Sequence, residues 1–286
     1  MNKYTVINPH EPFRVLNTHV HNIDGIAKVT GRATYTFDVK LPGMLYGKIL
    51  RSPYPHAKIV NIDFSKAMEI PGVKAVVTGK DTLGVKQGIW RRYKDLCDEA
   101  ILPVDKVRYI GEPVAAVAAV TEEIAEKALD YIEVEYEVLP ATFEPLDAIK
   151  KDAPEIHEGF ERNINVTRHI EWGEVEEGFE EADYIREDWF KCGGQAHMCM
   201  ETRAAVSSYT PEGKMTIYSS NQSPYYMQGL MSGVLGMREG DIRVLSQYVG
   251  GGFGGKFELD GAIFCSAILS MKTFKPVKIV FTREED

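Results

Sequence analysis

Gly250-Gly251-Gly252-Phe253-Gly254-Gly255-Lys256 lies between a strand-like run, Ile242 to Val249, and an apolar helix-like run, Leu259 to Met271. Glycines this dense let backbone N–H groups approach an anion or another backbone with no Cβ in the way. A strand before the loop and a helix after it make an anion cradle. The P-loop pattern is incomplete, because Phe257 stands where a Ser or Thr would hold magnesium, and Leu259-Asp260-Gly261 interrupts the helix. A dinucleotide fingerprint is formally satisfied by Gly250, Gly252 and Gly255, but such a match is cheap within a glycine run and no repeating strand–helix pattern precedes it. A tight turn with close backbone packing is the competing structural reading.

Working outward, Ser223-Pro224 opens a helix expected to run to Leu235 and to stop at Gly236. Ala205 to Tyr209 and Lys214 to Ser220 flank the hairpin signal Thr210-Pro211-Glu212-Gly213, and Val277 to Phe281 reads as a strand. Upstream, Thr34 to Phe37, Met44 to Leu50, Lys58 to Asp63, Val73 to Val77 and Ile132 to Glu137 carry strand patterns. Ser65 is the expected cap of a helix over Lys66 to Ile70. Pro113 to Val120 is a small-residue apolar run, read as a buried strand, and Thr121 caps a helix whose first turn holds Glu122 and Glu123. The whole reads as α+β. Domains are expected at residues 1–150 and 166–286, joined by a linker over 151–165, with Glu174 to Asp188 as a solvated acidic face.

The 286 residues carry 33 basic and 42 acidic side chains, a net charge of −9, with 44% hydrophobic residues. This is ordinary for about two globular domains and argues against nucleic-acid binding, which needs a basic surface. Val114 to Val120 falls far short of the ~20 residues of a membrane helix, and the start of the chain lacks a secretory pattern, so a soluble cytoplasmic protein with no membrane contact is expected. Cys97, Cys192, Cys199 and Cys265 have no zinc or iron–sulfur spacing. His197 and Glu201 do not form a zinc-hydrolase motif, and His19 and His21 share a strand face without a third ligand.

Several motifs then line up in order. Asp24-Gly25 with Lys28 to Tyr35, Arg51-Ser52-Pro53-Tyr54-Pro55-His56-Ala57, and Val107-Arg108-Tyr109-Ile110-Gly111-Glu112-Pro113-Val114-Ala115 resemble the a/b hammerhead domain of the xanthine dehydrogenase and aldehyde oxidase family of molybdenum hydroxylases. Ser220-Asn221-Gln222-Ser223-Pro224 and the glycine loop resemble the first part of that family's molybdopterin-binding domain. The resemblance implies a molybdenum–molybdopterin cofactor contacted by Gln222, Gly251, Gly252, Phe253, Gly254 and Gly255. Gln222, Phe253 and Gly254 lie nearest the metal, and no protein side chain ligates it directly.

It implies hydroxylation of an aromatic heterocycle, an aldehyde or a related small molecule with oxygen from water. Electrons pass to iron–sulfur clusters and FAD on partner chains, an iron–sulfur subunit and an FAD subunit. Phe257 replaces the glutamate of xanthine-oxidising members, so it marks the substrate pocket and a preference away from purines. The family's large subunit also carries sequence beyond these motifs. A split or truncated molybdenum-binding subunit, active only with a C-terminal molybdenum-binding chain, is therefore expected. The alternatives are a non-catalytic cofactor-binding or maturation protein, and an unrelated nucleotide-binding protein.

Overall fold

The structure is a computed structural model that describes residues 21–82, 84–88 and 97–286. His19 lies outside the described residues, and with it the shared strand face of His19 and His21. The described residues cluster as two compact units, residues 21–34 and residues 35–286. Among the described residues of the first, one short helix forms, α1 (Gly25–Val29), tied by a Lys28–Asp24 ion pair one turn apart.

The second unit is a mixed α/β body around a seven-stranded sheet. Its strands are β1 (Leu45–Arg51), β3 (Val73–Thr78), β7 (Pro113–Ala119), β9 (Ala204–Tyr209), β10 (Met215–Ser219), β11 (Ile242–Leu245) and β12 (Val277–Val280). They are ordered β11-β10-β9-β12-β1-β7-β3. A smaller sheet joins β6 (Lys106–Val107), β2 (Ala57–Asp63) and β8 (Glu133–Val138), and β4 (Lys86–Gln87) pairs with β5 (Glu99–Ala100). β7 is buried at every residue because β1 and β3 flank it and both its faces are covered, which is why it reads as an uninterrupted apolar run. The helix α3 (Glu122–Leu129) packs against β1 and β7, and Thr121 Oγ1 accepts the Ile124 N–H at 3.3 Å as its cap.

Both halves of the sequence meet in this one sheet. β12 runs parallel to β1, with Leu45 opposite Val277, and antiparallel to β9. The helix α7 (Gly261–Thr273) lies across β9, β12, β3 and β1, so Ile49, Val77 and Ala116 share one core with Ile217, Met231, Ile263 and Ile279. The helix α6 (Pro224–Leu235) ends at Gly236 in the left-handed region at φ 63°. Two further short helices are α4 (Pro145–Ala148) and α5 (Val175–Glu180).

Three local expectations are corrected. Thr36–Asp38 forms a 3-10 turn rather than a strand, because the Asp38 carboxylate accepts the Tyr35 N–H at 2.9 Å and closes the backbone on itself. The helix α2 (Ser65–Glu69) already includes Ser65, and Asp63 Oδ1 takes both its N–H and its hydroxyl. The strand after Ile242 stops at Leu245, well before the glycine loop.

Candidate functional site

Two segments build the site. The first is the turn from β10 into α6. Asn221 is buried and turns the chain into the helix by accepting the Ser223 N–H at 2.7 Å. The second is the glycine loop between β11 and α7. They are sewn together at Lys256, whose carbonyl accepts Asn221 Nδ2 and the Gln222 N–H, both at 2.9 Å. Gln222, remote in sequence, is thereby fixed against the loop.

The loop rests on a buried ion pair. The Lys256 side chain is 2% exposed, and its ammonium donates to Glu201 Oε2 at 3.0 Å and to the Glu201 carbonyl at 2.7 Å. Glu201 Oε2 also accepts the Gly250 N–H at 2.7 Å. Lys256 is therefore turned into the protein and does not face a phosphate. Behind it, Arg203 donates to the Gly255 carbonyl at 2.6 Å and to Asp286 at 2.8 Å. Asp260 caps α7 by accepting the Ile263 N–H, and burial pushes its carboxyl up to about 6 against the pull of that N–H and of Arg203.

Packing explains much of the glycine density. A Cβ at Gly250 would meet Glu201 Cβ at 2.5 Å, one at Gly252 would fall on the Gln222 amide, and one at Gly255 would meet the His197 ring at 2.8 Å. Gly251 and Gly254 instead need left-handed backbone, at φ 100° and 95°. Phe253 is left-handed too, at φ 49°, with its ring three-quarters exposed. A bulky residue held there is a strained one, and strain of this kind clusters at binding sites.

The Gly254 and Lys256 N–H groups converge on one point, and Gln222 Oε1 occupies it, at 3.0 and 3.2 Å. Two backbone N–H groups aimed together form a nest for an oxygen. Gly254 N–H, which the resemblance aims at a ligand, is spent on Gln222 in this structure. The pair of N–H groups also fixes the orientation of the Gln222 amide. Its oxygen faces the loop, and its Nε2 has no partner among the described residues and sits on an exposed residue.

The sequence-derived residues Gln222, Gly251, Gly252, Phe253, Gly254 and Gly255 thus gather in one place, with Gln222, Phe253 and Gly254 exposed and Gly252 buried. Phe257, on the far side of Lys256, is half-buried and stacks on Tyr226 of α6, with ring centroids 5.2 Å apart and an interplanar angle of 15°. Glu201, Arg203 and Asn221 were not singled out from the sequence for these roles. Their partners are 55, 52 and 35 residues away, and no local pattern links them. A second carboxyl group lies near the base of the loop. Gln87 Nε2 bridges the Leu259 carbonyl and Glu99, each at 3.3 Å. Burial, then Glu258 and Glu112, push the Glu99 carboxyl up to about 7. Burial likewise raises Glu112 to about 7, although it accepts the Arg108 N–H.

Residues 30–140 match the aldehyde oxidase and xanthine dehydrogenase a/b hammerhead domain, and residues 156–286 match the molybdopterin cofactor-binding domain. The chain belongs to the xanthine dehydrogenase and aldehyde oxidase family of molybdenum hydroxylases. Among this family's members, the nicotinate dehydrogenase large molybdopterin subunit of Eubacterium barkeri is 38% identical over 96% of the chain, which spans 63% of that relative. A probable xanthine dehydrogenase subunit of Bacillus subtilis is 42% identical over 92% of the chain, which spans 34% of it. The Cu,Mo-CO dehydrogenase crystal structure superposes with a TM-score of 0.83 at 30% identity, covering 93% of this chain and 35% of that one. Quinoline 2-oxidoreductase from Pseudomonas putida 86 superposes at 0.80 with 30% identity over 94% of this chain and 35% of that one. The chain therefore spans between about a third and just under two thirds of the length of these family members. No described helix is long and apolar enough to cross a membrane.

Proposed function

We propose that this chain supplies one wall of the molybdopterin-binding site in a cytoplasmic molybdenum hydroxylase. The enzyme would oxidise a small N-heteroaromatic compound, an aldehyde or a related substrate with oxygen from water. The observation that carries the reading is Gln222, pinned by two convergent N–H groups so that its free amide donor faces outward from an exposed, strained glycine loop.

The residues present fit the cofactor. It is anionic and oxygen-rich, and Gln222 offers it an uncharged side-chain donor beside the loop, with the Lys256 ammonium neutralised by Glu201. When bound, the molybdenum cofactor supplies the two-electron redox centre. Gln222 Nε2 would donate to an acceptor oxygen of the bound cofactor. Gly254 and Lys256 N–H groups hold that amide in one orientation, so the donor is preorganised. Gly251 and Gly254 keep Cβ atoms off the loop. Phe253 stands on the cofactor side of the loop, and Phe257, stacked on Tyr226, lines the substrate pocket and supplies no carboxylate for a purine ring. Two of the relatives are named for nicotinate and quinoline, both N-heteroaromatics.

The reading includes partner chains, since the relatives are subunits by name. We assign them as a further molybdenum-binding chain and chains carrying iron–sulfur clusters and FAD. The test is metal and pterin analysis of the assembly purified from the source cell, with turnover on heterocycles and aldehydes. About one molybdenum per chain is expected, and Gln222→Ala lowers turnover more than protein yield. Equal loss of both contradicts a role beside the cofactor. Phe257→Glu shifts preference toward purines; an unchanged substrate profile removes Phe257 from the pocket.

A further inference from the structure

We propose that Arg203 and Glu201 are positioning residues for Gln222: they grip the glycine loop from behind and aim its two convergent N–H groups at the Gln222 amide. The inference rests on the cofactor reading above and names the residues that set the orientation of its donor.

Both residues come from one short stretch, 201–203, immediately before β9. Arg203 acts on a single peptide unit. Its Nη2 donates to the Gly255 carbonyl at 2.6 Å. The N–H of that same planar trans peptide is the Lys256 N–H, which points the opposite way and donates to Gln222 Oε1 at 3.2 Å. Turning the peptide breaks both bonds together, so the guanidinium fixes the direction of the N–H. The guanidinium is itself held. Nη1 donates to Asp286 Oδ1 at 2.8 Å, the Arg203 backbone N–H donates to the same oxygen at 3.2 Å, and Nε lies 3.7 Å from the Asp260 carboxylate. The Arg203 carbonyl accepts the Phe281 N–H at 2.9 Å, which ties this stretch to the chain just beyond β12.

Glu201 grips the two ends of the loop. Its backbone N–H donates to the Gly250 carbonyl at 3.2 Å, and its Oε2 accepts the Gly250 N–H at 2.7 Å, so Gly250 is held on both sides of its Cα. The same Oε2, at 3.0 Å, and the Glu201 carbonyl, at 2.7 Å, hold the Lys256 ammonium. Glu201 Oε1 is buried and has no hydrogen-bond partner among the described residues, so the donors that hold this carboxylate come from the loop. Between the gripped ends lie the three left-handed residues, Gly251, Phe253 and Gly254. Strained backbone persists where its surroundings over-determine it, and here the surroundings are Glu201 at the ends and Arg203 at the back. The 3.0 Å bond from the Gly254 N–H to Gln222 Oε1 depends on that one conformation.

The test is a double-mutant cycle in the assembly purified from the source cell, with quinoline, nicotinate and benzaldehyde as trial substrates and amide hydrogen exchange read alongside. Arg203→Lys keeps a cation between Asp286 and Asp260 but loses the planar fork that also reaches Gly255. It is expected to leave the melting temperature unchanged, to speed exchange of the Gly254 and Lys256 N–H groups about tenfold, and to lower kcat about tenfold at unchanged KM. In a Gln222→Ala background the same substitution is expected to cost no further turnover, because it acts through that amide. Equal loss of turnover in both backgrounds, or wild-type exchange in Arg203→Lys, overturns the proposal. The double variant Glu201→Leu, Lys256→Met removes both buried charges together and so keeps the fold. It is expected to speed the same two exchanges; wild-type exchange there overturns the proposal as well. The exchange measurement needs no bound cofactor. A molybdenum-free assembly with faster exchange in these variants contradicts the cofactor reading alone, and a molybdenum-loaded assembly with wild-type exchange contradicts the positioning reading alone.

Discussion

Residues 204–280 and residues 164–198 are both rich in apolar side chains, and the structure treats them oppositely. Val206, Ile217, Ile263 and Ile279 are 0 to 2% exposed, whereas Ile170 and Trp172 are 89 and 92% exposed. The first group lies on strands and a helix that have partners within the chain: β9 is flanked by β10 and β12, and α7 covers the sheet. The second group has a strand pattern with no strand beside it among the described residues. Apolar content alone does not decide burial; a neighbour that satisfies the backbone and covers the face does. The glycine loop stands between these extremes. It is anchored from beneath by a buried ion pair, and its upper surface, Phe253 and Gln222, is exposed.

The contrast can be broken most forcefully under the loop. Lys256→Ala leaves Glu201 buried without its partner and is expected to cost about 3–5 kcal/mol in urea denaturation. A loss below about 1 kcal/mol would show that the loop does not rest on this pair. A pH comparison sharpens the same contrast with a smaller effect. Glu99 and Glu112 titrate near 7 when folded against about 4.5 when unfolded. The folded protein therefore holds extra protons between these values. The stability this contributes is fully present below pH 4.5 and is lost as pH rises through 7. Stability is expected to fall by about 1–3 kcal/mol between pH 5 and 8, less after Glu99→Gln. A rise over that range contradicts the buried placement of these carboxyls. Smaller again, Phe257→Ala removes the stack on Tyr226 and is expected to cost about 0.5–1.5 kcal/mol beyond its lost burial. Smallest of all, Trp172→Ser in the isolated chain is expected to change stability by less than about 0.5 kcal/mol, because it buries nothing there. A cost of several kcal/mol would mean that residues 164–198 pack within this chain.

Much of the fold was legible because local chemistry decides it. Thr121 caps α3, Pro224 and Gly236 bound α6, and the apolar run at 113–119 forms the fully buried β7. Thr34 to Phe37 misled, because strand propensity there loses to the Asp38 side chain. The pairing of β12 with β1 joins residues more than two hundred positions apart and leaves no local mark. At the site, the glycine loop and Gln222 were legible as motifs. That Gln222 fills the nest of Gly254 and Lys256, and that Lys256 is bound to Glu201, were not. Each depends on side chains brought together only by the sheet.

The most direct test of the central claim is the molybdenum content of the assembly carrying Gln222→Glu. A carboxylate still accepts the Gly254 and Lys256 N–H groups, so the loop stays folded, but it has no donor and repels an anionic cofactor. Wild-type thermal stability with molybdenum reduced at least tenfold is the predicted result. Full molybdenum content at wild-type stability would contradict the account.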